Sequence, residues 1–274
     1  MRTLVHLSDL HFGRIDQALI GPLTALVKRL APDLVVVSGD LTQRAREHEF
    51  VAARDFLDTL PGPQIVVPGN HDVPLFNVAR RFLSPLEKYR RFITPELAPE
   101  YVDDQIAVLG INTARSLTLK DGRVNRAQIG AIRHRFASLD PALTRIVVSH
   151  HPFDLPAQYE AKHLARRASL AMATFAESGV DLLLAGHLHA SHAGNSAARY
   201  PVPAGAHAAL VVQAGTATST RGRGEANSFN LLRVAPARIE LERYSWQDGA
   251  AEFGLAASAI FKRIDGAWSA HEQS

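Results

Sequence analysis

Five blocks of residues able to hold metals or move protons recur in one arrangement along the chain. Asp9-Leu10-His11 follows the apolar run 4–7, and Gly39-Asp40 follows the run 34–37. Gly69-Asn70-His71-Asp72 follows 65–67, His150-His151-Pro152 follows 146–148, and Gly186-His187-Leu188-His189 follows 182–185. Carboxylates, an amide oxygen and several imidazoles form a hard-to-borderline N/O donor set. It suits Mn, Fe, Co, Ni or Zn and is poor for thiolate chemistry. So many donors exceed one tetrahedral site and fit two metals sharing a bridging carboxylate. In Asp9-x-His11 and His187-x-His189, side chains two apart on an extended turn point into the same space. Asn70 and His71 are adjacent and diverge, so one can ligate while the other faces a substrate.

The elements that must position these blocks are legible as well. The five runs are short, continuous and rich in Leu or β-branched residues, the pattern of strands buried on both faces. Between them Leu23, Leu26, Val27 and Leu30 repeat at helical spacing, with Pro22 suited to a first turn. Phe50, Ala53, Leu57 and Leu60 repeat likewise, as do Ile129, Ile132, Phe136 and Leu139 behind a capping box of Asn125 and Gln128. A further helix is expected over about 164–178, closed by Gly179. Strand and helix alternate, so the architecture is α/β. In such sheets ligands bind beyond the carboxyl ends of the strands, where every block lies. After about residue 208 the pattern changes: 207–214, 228–234, 238–244 and 252–255 read as strands that form or complete a second sheet. No linker or internal repeat interrupts the chain, which reads as one domain.

Composition narrows the chemistry. The 274 residues include 13 histidines and no cysteine, which excludes a disulfide scaffold, a Cys-type zinc finger, an iron–sulfur cluster and a thiol nucleophile. The net charge of +3 is too small to argue a nucleic-acid surface, and the pairs Arg80-Arg81, Arg90-Arg91 and Arg166-Arg167 read as solvated helix faces. No apolar stretch approaches the roughly 20 residues that span a membrane, and no signal peptide is visible. The expectation is a soluble cytoplasmic protein with a small-molecule substrate, no membrane partner and no nucleic-acid partner; a homo-oligomer is compatible with the sequence.

Taken in order over residues 9–189, the five blocks resemble the calcineurin-like metallophosphoesterase superfamily. That resemblance implies a four-layer α/β/β/α sandwich of two mixed β-sheets flanked by helices, in a single domain 1–274 with about 208–274 completing the second sheet. It implies one metal held by Asp9, His11, Asp40 and His189, and a second held by Asp40, Asn70, His150 and His187. Asp40 would bridge. The doublet offers His150 or His151; the family's ligand directly follows the strand, which favours His150. His71 matches the family's non-ligand histidine beside the scissile phosphate, and Asp72 is expected to orient it. Two divalent ions outweigh the carboxylates Asp9 and Asp40, and the surplus positive charge attracts a phosphate ester and acidifies a bridging water. Metal-bound hydroxide would attack phosphorus, and His71 would protonate the leaving alkoxide or stabilise the developing charge.

The opening LSDLHFG, the Gly-Asp-Leu-Thr block and the GNHD form are similar to the small bacterial phosphodiesterase branch, which includes class III cyclic nucleotide phosphodiesterases and glycerophosphodiesterases. A promiscuous diesterase acting on cyclic AMP or similar small phosphodiesters is the leading expectation, with two ions among Mn, Fe, Zn or Co. The alternatives are a phosphomonoesterase, an SbcD-like nuclease, and a metal-binding interaction scaffold of the same fold. His6 reads as a core histidine inside a strand. His48 and His134 read as surface residues, His151 as pocket lining, and His192 as a neighbour of the last block. Arg44 resembles by position the phosphate-binding arginine of the Gly-Asp-x-x-Asp-Arg motif of the phosphoprotein phosphatase branch, but Gln43 replaces the motif's Asp, and Arg44 reads first as a surface residue at a helix start. Asn112, Thr113 and Arg115 could border the pocket, and the loop 216–223, with Arg221 and Arg223, could reach it.

Overall fold

The computed structural model describes residues 1–75, 78–116, 121–156, 159–200, 207–221 and 224–271. The chain runs β1 (Arg2–Leu7), α1 (Gln17–Leu30), β2 (Leu34–Val37), α2 (Glu47–Thr59), β3 (Gln64–Val66), α3 (Val78–Leu83), α4 (Glu87–Phe92), β4 (Glu100–Val102), β5 (Ile106–Ile111) and α5 (Arg126–Ala137). It continues with β6 (Thr144–Ser149), α6 (Ala168–Glu177), β7 (Leu182–Ala185), β8 (His192–Asn195), β9 (Leu210–Gln213), β10 (Ser228–Ala235), β11 (Arg238–Gln247), β12 (Glu252–Ile264) and β13 (Ala267–His271). One sheet has the order β13-β12-β11-β10-β1-β2-β3 and the other β4-β5-β6-β7-β9-β8. Both are mixed: β1, β2 and β3 are parallel, as are β5, β6, β7 and β9, while the remaining pairs are antiparallel.

Alternation along each strand builds four layers. Leu4, Leu34 and Val36 face Val108, Ile146, Val148, Leu182 and Leu184 in the core between the sheets. Their neighbours Val5, Leu7, Val35 and Val37 pack outward against Leu23 and Val27 of α1 and Phe50 and Leu57 of α2. Ala107, Leu109, Val147 and Leu183 pack outward against Ile129 and Phe136 of α5 and Met172 and Phe175 of α6. The result is the α/β/β/α sandwich. Both parallel sets send their carboxyl ends to the same region, so blocks from two sheets meet there.

Several expectations need correction. The carboxy-terminal strands do not complete the second sheet. Only β9 joins it; β10 pairs antiparallel with β1, with Val5 opposite Leu231, and β11 to β13 extend that first sheet. Pro22 is not in the first turn of α1. Asp16 caps the helix, its carboxylate accepting from Ala18 N at 3.0 Å, and Pro22 lies inside, where it cannot donate to the preceding turn. The helix expected over 164–178 covers Ala168–Glu177, preceded by a separate 3-10 turn at Ala161–His163. It closes as expected on Gly179, whose φ of +62° lets Val180 N reach Phe175 O at 2.9 Å. The capping box of α5 is formed, with Gln128 N donating to Asn125 Oδ1 and Asn125 N to Gln128 Oε1. Among the described residues no helix is long and apolar enough to cross a membrane.

Candidate metal centre

The strand ends deliver their blocks through an unusual backbone. Asp9, His11, Asp40, His187 and His189 all take left-handed φ values, from +52° to +73°. Such conformations cost on the order of 1–3 kcal/mol each for residues with a side chain. The pairs two apart are therefore not extended turns. In Asp9-x-His11 and His187-x-His189 both outer residues are left-handed, and this turns their side chains the same way. Glycines supply room, Gly186 and Gly69 beside the two carboxylates among them. A Cβ on Gly186 would stand 2.6 Å from Asp9 Oδ2, and one on Gly69 would stand 2.8 Å from Asp40 Cγ.

Among the described residues, four sets of possible ligands lie in one cluster: Asp9, His11 and His189; Asp9, Asp40 and His150; His11, Asp40 and His71; and His150, His151 and His187. Within each set the donor atoms lie within 4.8 Å of one another. Each carboxylate has one oxygen bound by the protein and one turned inward. Asp9 Oδ2 accepts from Ser8 Oγ at 2.7 Å and from His187 N at 3.0 Å. Asp9 Oδ1 is buried without a hydrogen bond, 3.3 Å from His189 Nε2 and 3.6 Å from His11 Nε2. Asp40 Oδ1 accepts from His71 N at 2.8 Å, while Oδ2 lies 3.7 Å from His11 Nε2 and 3.3 Å from His150 Nε2. His150 Nε2 is also 3.2 Å from Asn70 Oδ1. His150 Nδ1 donates to Ser38 O at 2.8 Å, so a neutral ring turns its lone pair toward two oxygen acceptors.

That arrangement asks for a cation. Donors bound to one ion at about 2.0–2.2 Å stand roughly 3–3.6 Å apart, close to the 3.2–3.7 Å found here. The electrostatics agree. Burial raises the Asp9 and Asp40 carboxyls, but the facing imidazoles, His189 for Asp9 and His150 for Asp40, hold both below the ordinary carboxylate range. Burial opposes a charge on His150, yet Asp40 pushes the ring up to about 9. His187 goes the other way, down to about 3, through burial and then the neighbouring His150. A wholly buried pair of carboxylates thus draws positive charge to itself, and divalent ions would supply it.

The remaining expected residues are placed as follows. His71 sits at the edge of the cluster, its ring edge-on to His11 at 4.9 Å between centroids. Its Nδ1 donates to Gln43 O at 2.8 Å, and burial lowers its pKa. Asp72 does not orient that ring. Its Oδ1 accepts from Thr42 N and Thr42 Oγ1, and its Oδ2 from Leu41 N and Gly69 N. On the 3-10 turn Asn70–Asp72 the two side chains diverge, and Asp72 clamps the loops behind Asp40 and Asn70. Burial, with Asp40 next, pushes its carboxyl up to about 6. His151 is buried, with Nδ1 2.8 Å from Thr113 Oγ1 and its ring against His187.

Outside the cluster, His6 bonds Ser38 Oγ at 2.9 Å, and His192 lies at the start of β8. Arg44 is exposed at the approach to α2, and Arg115 bonds Gln128 and Ala114 O. The loop after β9 does reach the centre. Thr216 Oγ1 donates to Asp9 O at 2.7 Å, Thr218 Oγ1 to Leu10 O at 2.8 Å, and Arg221 Nη1 lies 2.9 Å from His71 Nε2. Arg223 lies outside the described residues. Sequence reasoning missed Ser8 and the carbonyls of Ser38 and Gln43. Carbonyl acceptors carry no residue signal; the hydroxyl-rich loop after a strand was the one available pointer to Thr216 and Thr218.

The calcineurin-like phosphoesterase family profile matches residues 2–191, and the chain belongs to that family. It is a metal-dependent phosphoesterase, and the family implies a dinuclear centre that the His/Asp cluster fits. A cAMP/cGMP dual specificity phosphodiesterase of Mycobacterium tuberculosis is 27% identical over 262 residues, covering 85% of this chain and 76% of that protein. A glycerophosphodiester phosphodiesterase of Enterobacter lignolyticus is 38% identical over 82 residues, and that match spans only 25% of this chain and 29% of the relative. Among solved structures, a dimetal phosphatase from Danio rerio superposes with a TM-score of 0.68 at 14% identity, covering 94% of this chain and 98% of that one. At that identity the likeness speaks for the fold.

Proposed function

We propose that the chain is a dinuclear-metal phosphodiesterase of small phosphodiesters, with cyclic nucleotides such as cAMP its foremost substrates. The observation that carries the reading is the paired carboxylates Asp9 and Asp40, each with one oxygen fixed by backbone N–H groups or a hydroxyl and the other turned to imidazoles. In this reading Asp9, His11, Asp40 and His189 hold one metal, and Asp40, Asn70, His150 and His187 hold the other. Asp40 lies between the two sets, its Oδ2 near both His11 and His150. Residues 1–274 act as one metallophosphoesterase domain.

The chemistry that two divalent ions supply when bound is Lewis acidity toward phosphoryl oxygens and a water acidic enough to attack phosphorus near neutral pH. The protein's own part is positioning and proton handling. Gln43 O holds His71 Nδ1–H, so Nε2 is the nitrogen left to handle a proton: in the neutral ring it accepts from Arg221 Nη1, and as the imidazolium it would give its proton to the departing alkoxide. Asp40 Oδ1, by accepting His71 N, fixes that residue beside the centre. Asp72 keeps the loops of Asp40 and Asn70 in register through four hydrogen bonds. Preference for cyclic nucleotides is supported by the relative aligned over 85% of the chain.

The test is a substrate panel with the Mn-loaded protein: bis(p-nitrophenyl) phosphate, p-nitrophenyl phosphate, cAMP and single-stranded DNA. Turnover of the diester and cAMP is expected. Turnover of the monoester alone, or of DNA in preference to cAMP, removes the assignment. No turnover with both metals bound would point to an interaction scaffold.

A further inference from the structure

Arg221 stands at the mouth of the cluster on a loop built to hold it there. The loop is tied to the segment that carries Asp9 and His11 at every step. Ala217 N donates to Ser8 O at 3.0 Å, and Thr216 and Thr218 give their hydroxyls to Asp9 O and Leu10 O. Thr220 N donates to Arg14 O at 3.1 Å, Asn227 Nδ2 to Ser219 O at 2.9 Å, and Arg221 N to Ser219 Oγ at 3.1 Å. The loop and the ligand-bearing turn are therefore pinned to each other by backbone and hydroxyl hydrogen bonds. The guanidinium it presents is half-buried and lies 2.9 Å from His71 Nε2.

The setting is chemically pointed. His71 Nδ1–H is committed to Gln43 O, so Arg221 meets the ring at the nitrogen that faces the cluster mouth. A guanidinium is a fixed cation whose planar donors match the oxygens of a phosphate. On the cluster side it meets His71, whose ring stands edge-on to His11. A phosphate ester drawn to the centre would take the guanidinium's N–H donors onto its oxygens and so release His71 Nε2 from Arg221. Arg44, by contrast, is exposed at the approach to α2, and Arg115 is engaged with Gln128 and Ala114 O.

We propose that Arg221 binds the phosphoryl group of the substrate beside His71 and so sets the ester oxygen near His71 Nε2. The role rests on the phosphoesterase reading of the cluster but needs no particular alcohol or nucleoside. It makes Arg221 a substrate-positioning residue for any phosphate ester that enters the centre.

The experiment measures binding of inorganic phosphate to the Mn-loaded protein by titration calorimetry, with metal content determined on the same samples. Arg221→Met should retain two metals and bind phosphate about tenfold more weakly, equivalent to about 1.4 kcal/mol. Arg221→Lys, which keeps the charge but loses the planar fork, should fall between. Guanidinium ion added to Arg221→Ala should restore part of the affinity. A change of less than threefold in Arg221→Met, or a loss of metal that accounts for the change, overturns the proposal, and so does a parent protein that binds no phosphate. A parent that binds phosphate through Arg221 but hydrolyses no diester defeats the diesterase reading alone. Diester turnover with phosphate affinity unchanged in Arg221→Met defeats the role of Arg221 alone.

Discussion

Replacing Gly69 with alanine should disable the centre while leaving every candidate ligand in the sequence. Gly69 has a φ of −104°, which any residue adopts, so backbone strain is not the issue. The issue is space. The added Cβ would lie 2.8 Å from Asp40 Cγ, and closer still to Asp40 Oδ1 and N, where ordinary contact starts at 3.4 Å. Clearing Cγ alone displaces Asp40 by about 0.6 Å, and clearing its backbone nitrogen asks for about 1 Å. Catalytic groups tolerate roughly 0.5 Å, and a 1 Å error can cost about 100-fold in rate. Asp40 Oδ2 faces both His11 and His150, so one displacement disturbs both proposed metal positions. The expected result is a loss of about 100-fold in kcat/KM on a chromogenic diester, with fewer than two metal equivalents by elemental analysis. Gly21→Ala in α1 and Gly130→Ala in α5 are the controls: a Cβ there meets nothing within 4 Å, and each should leave activity intact and add about 0.5–1 kcal/mol of stability. Two retained equivalents and kcat/KM within threefold of the parent in Gly69→Ala would refute the claim that this glycine makes room for Asp40.

Three further outcomes follow from the same geometry. His71→Ala should retain both metals, because the ring lies at the edge of the cluster, yet lose about 100- to 10,000-fold in kcat; metal loss in that variant would show the role to be misassigned. Asp40→Ala should deplete both positions, and elemental analysis that still finds two tightly held ions would rule out the shared carboxylate. His6 is buried and its pKa is lowered from 6.5 to about 3 by burial, with Asp9 opposing. The unfolded chain binds that proton below pH 6.5 and the folded one does not. Stability from this group is therefore complete above pH 6.5 and is lost at about 1.4 kcal/mol per pH unit on the way down to about 3. Urea unfolding of metal-free protein should show the parent losing about 2 kcal/mol more than His6→Gln between pH 6.5 and 5; parallel profiles would contradict it.

The candidate site was far more legible than the topology around it. Each block follows its apolar run within a few residues, so the pairing of strand end with polar side chain is local information. The division of those runs between two sheets is not local. β1 takes β10 as a neighbour, with His6 opposite Asn230, and nothing near either residue announces it. β12 runs to Ile264 through the exposed stretch 255–258, which lacks any apolar alternation by which to read a strand. Between residues 74 and 104 lie α3, α4 and β4, too short to show a period. Within the site, the direction of Asp72 and the left-handed turns at Asp9 and His11 depend on contacts with other loops. Pro22 misled for a related reason: its preference for a first turn yielded to the stronger cap at Asp16.

The convergence of both sheets on one cluster has a consequence for assembly. Asp9 Oδ2 takes a hydrogen bond from His187 N across 178 residues of chain, and His11 meets His189 across the same separation. Ions gripping residues from both ends of that span would act as reversible cross-links, closing a very long loop much as a clip does. They could be gripped only after the two sheets have docked, so occupancy would report docking itself. Free metal would then shift the folding equilibrium by mass action, and the melting temperature should climb with metal concentration. A cell short of the metal would hold not only an idle enzyme but one whose halves are less firmly joined.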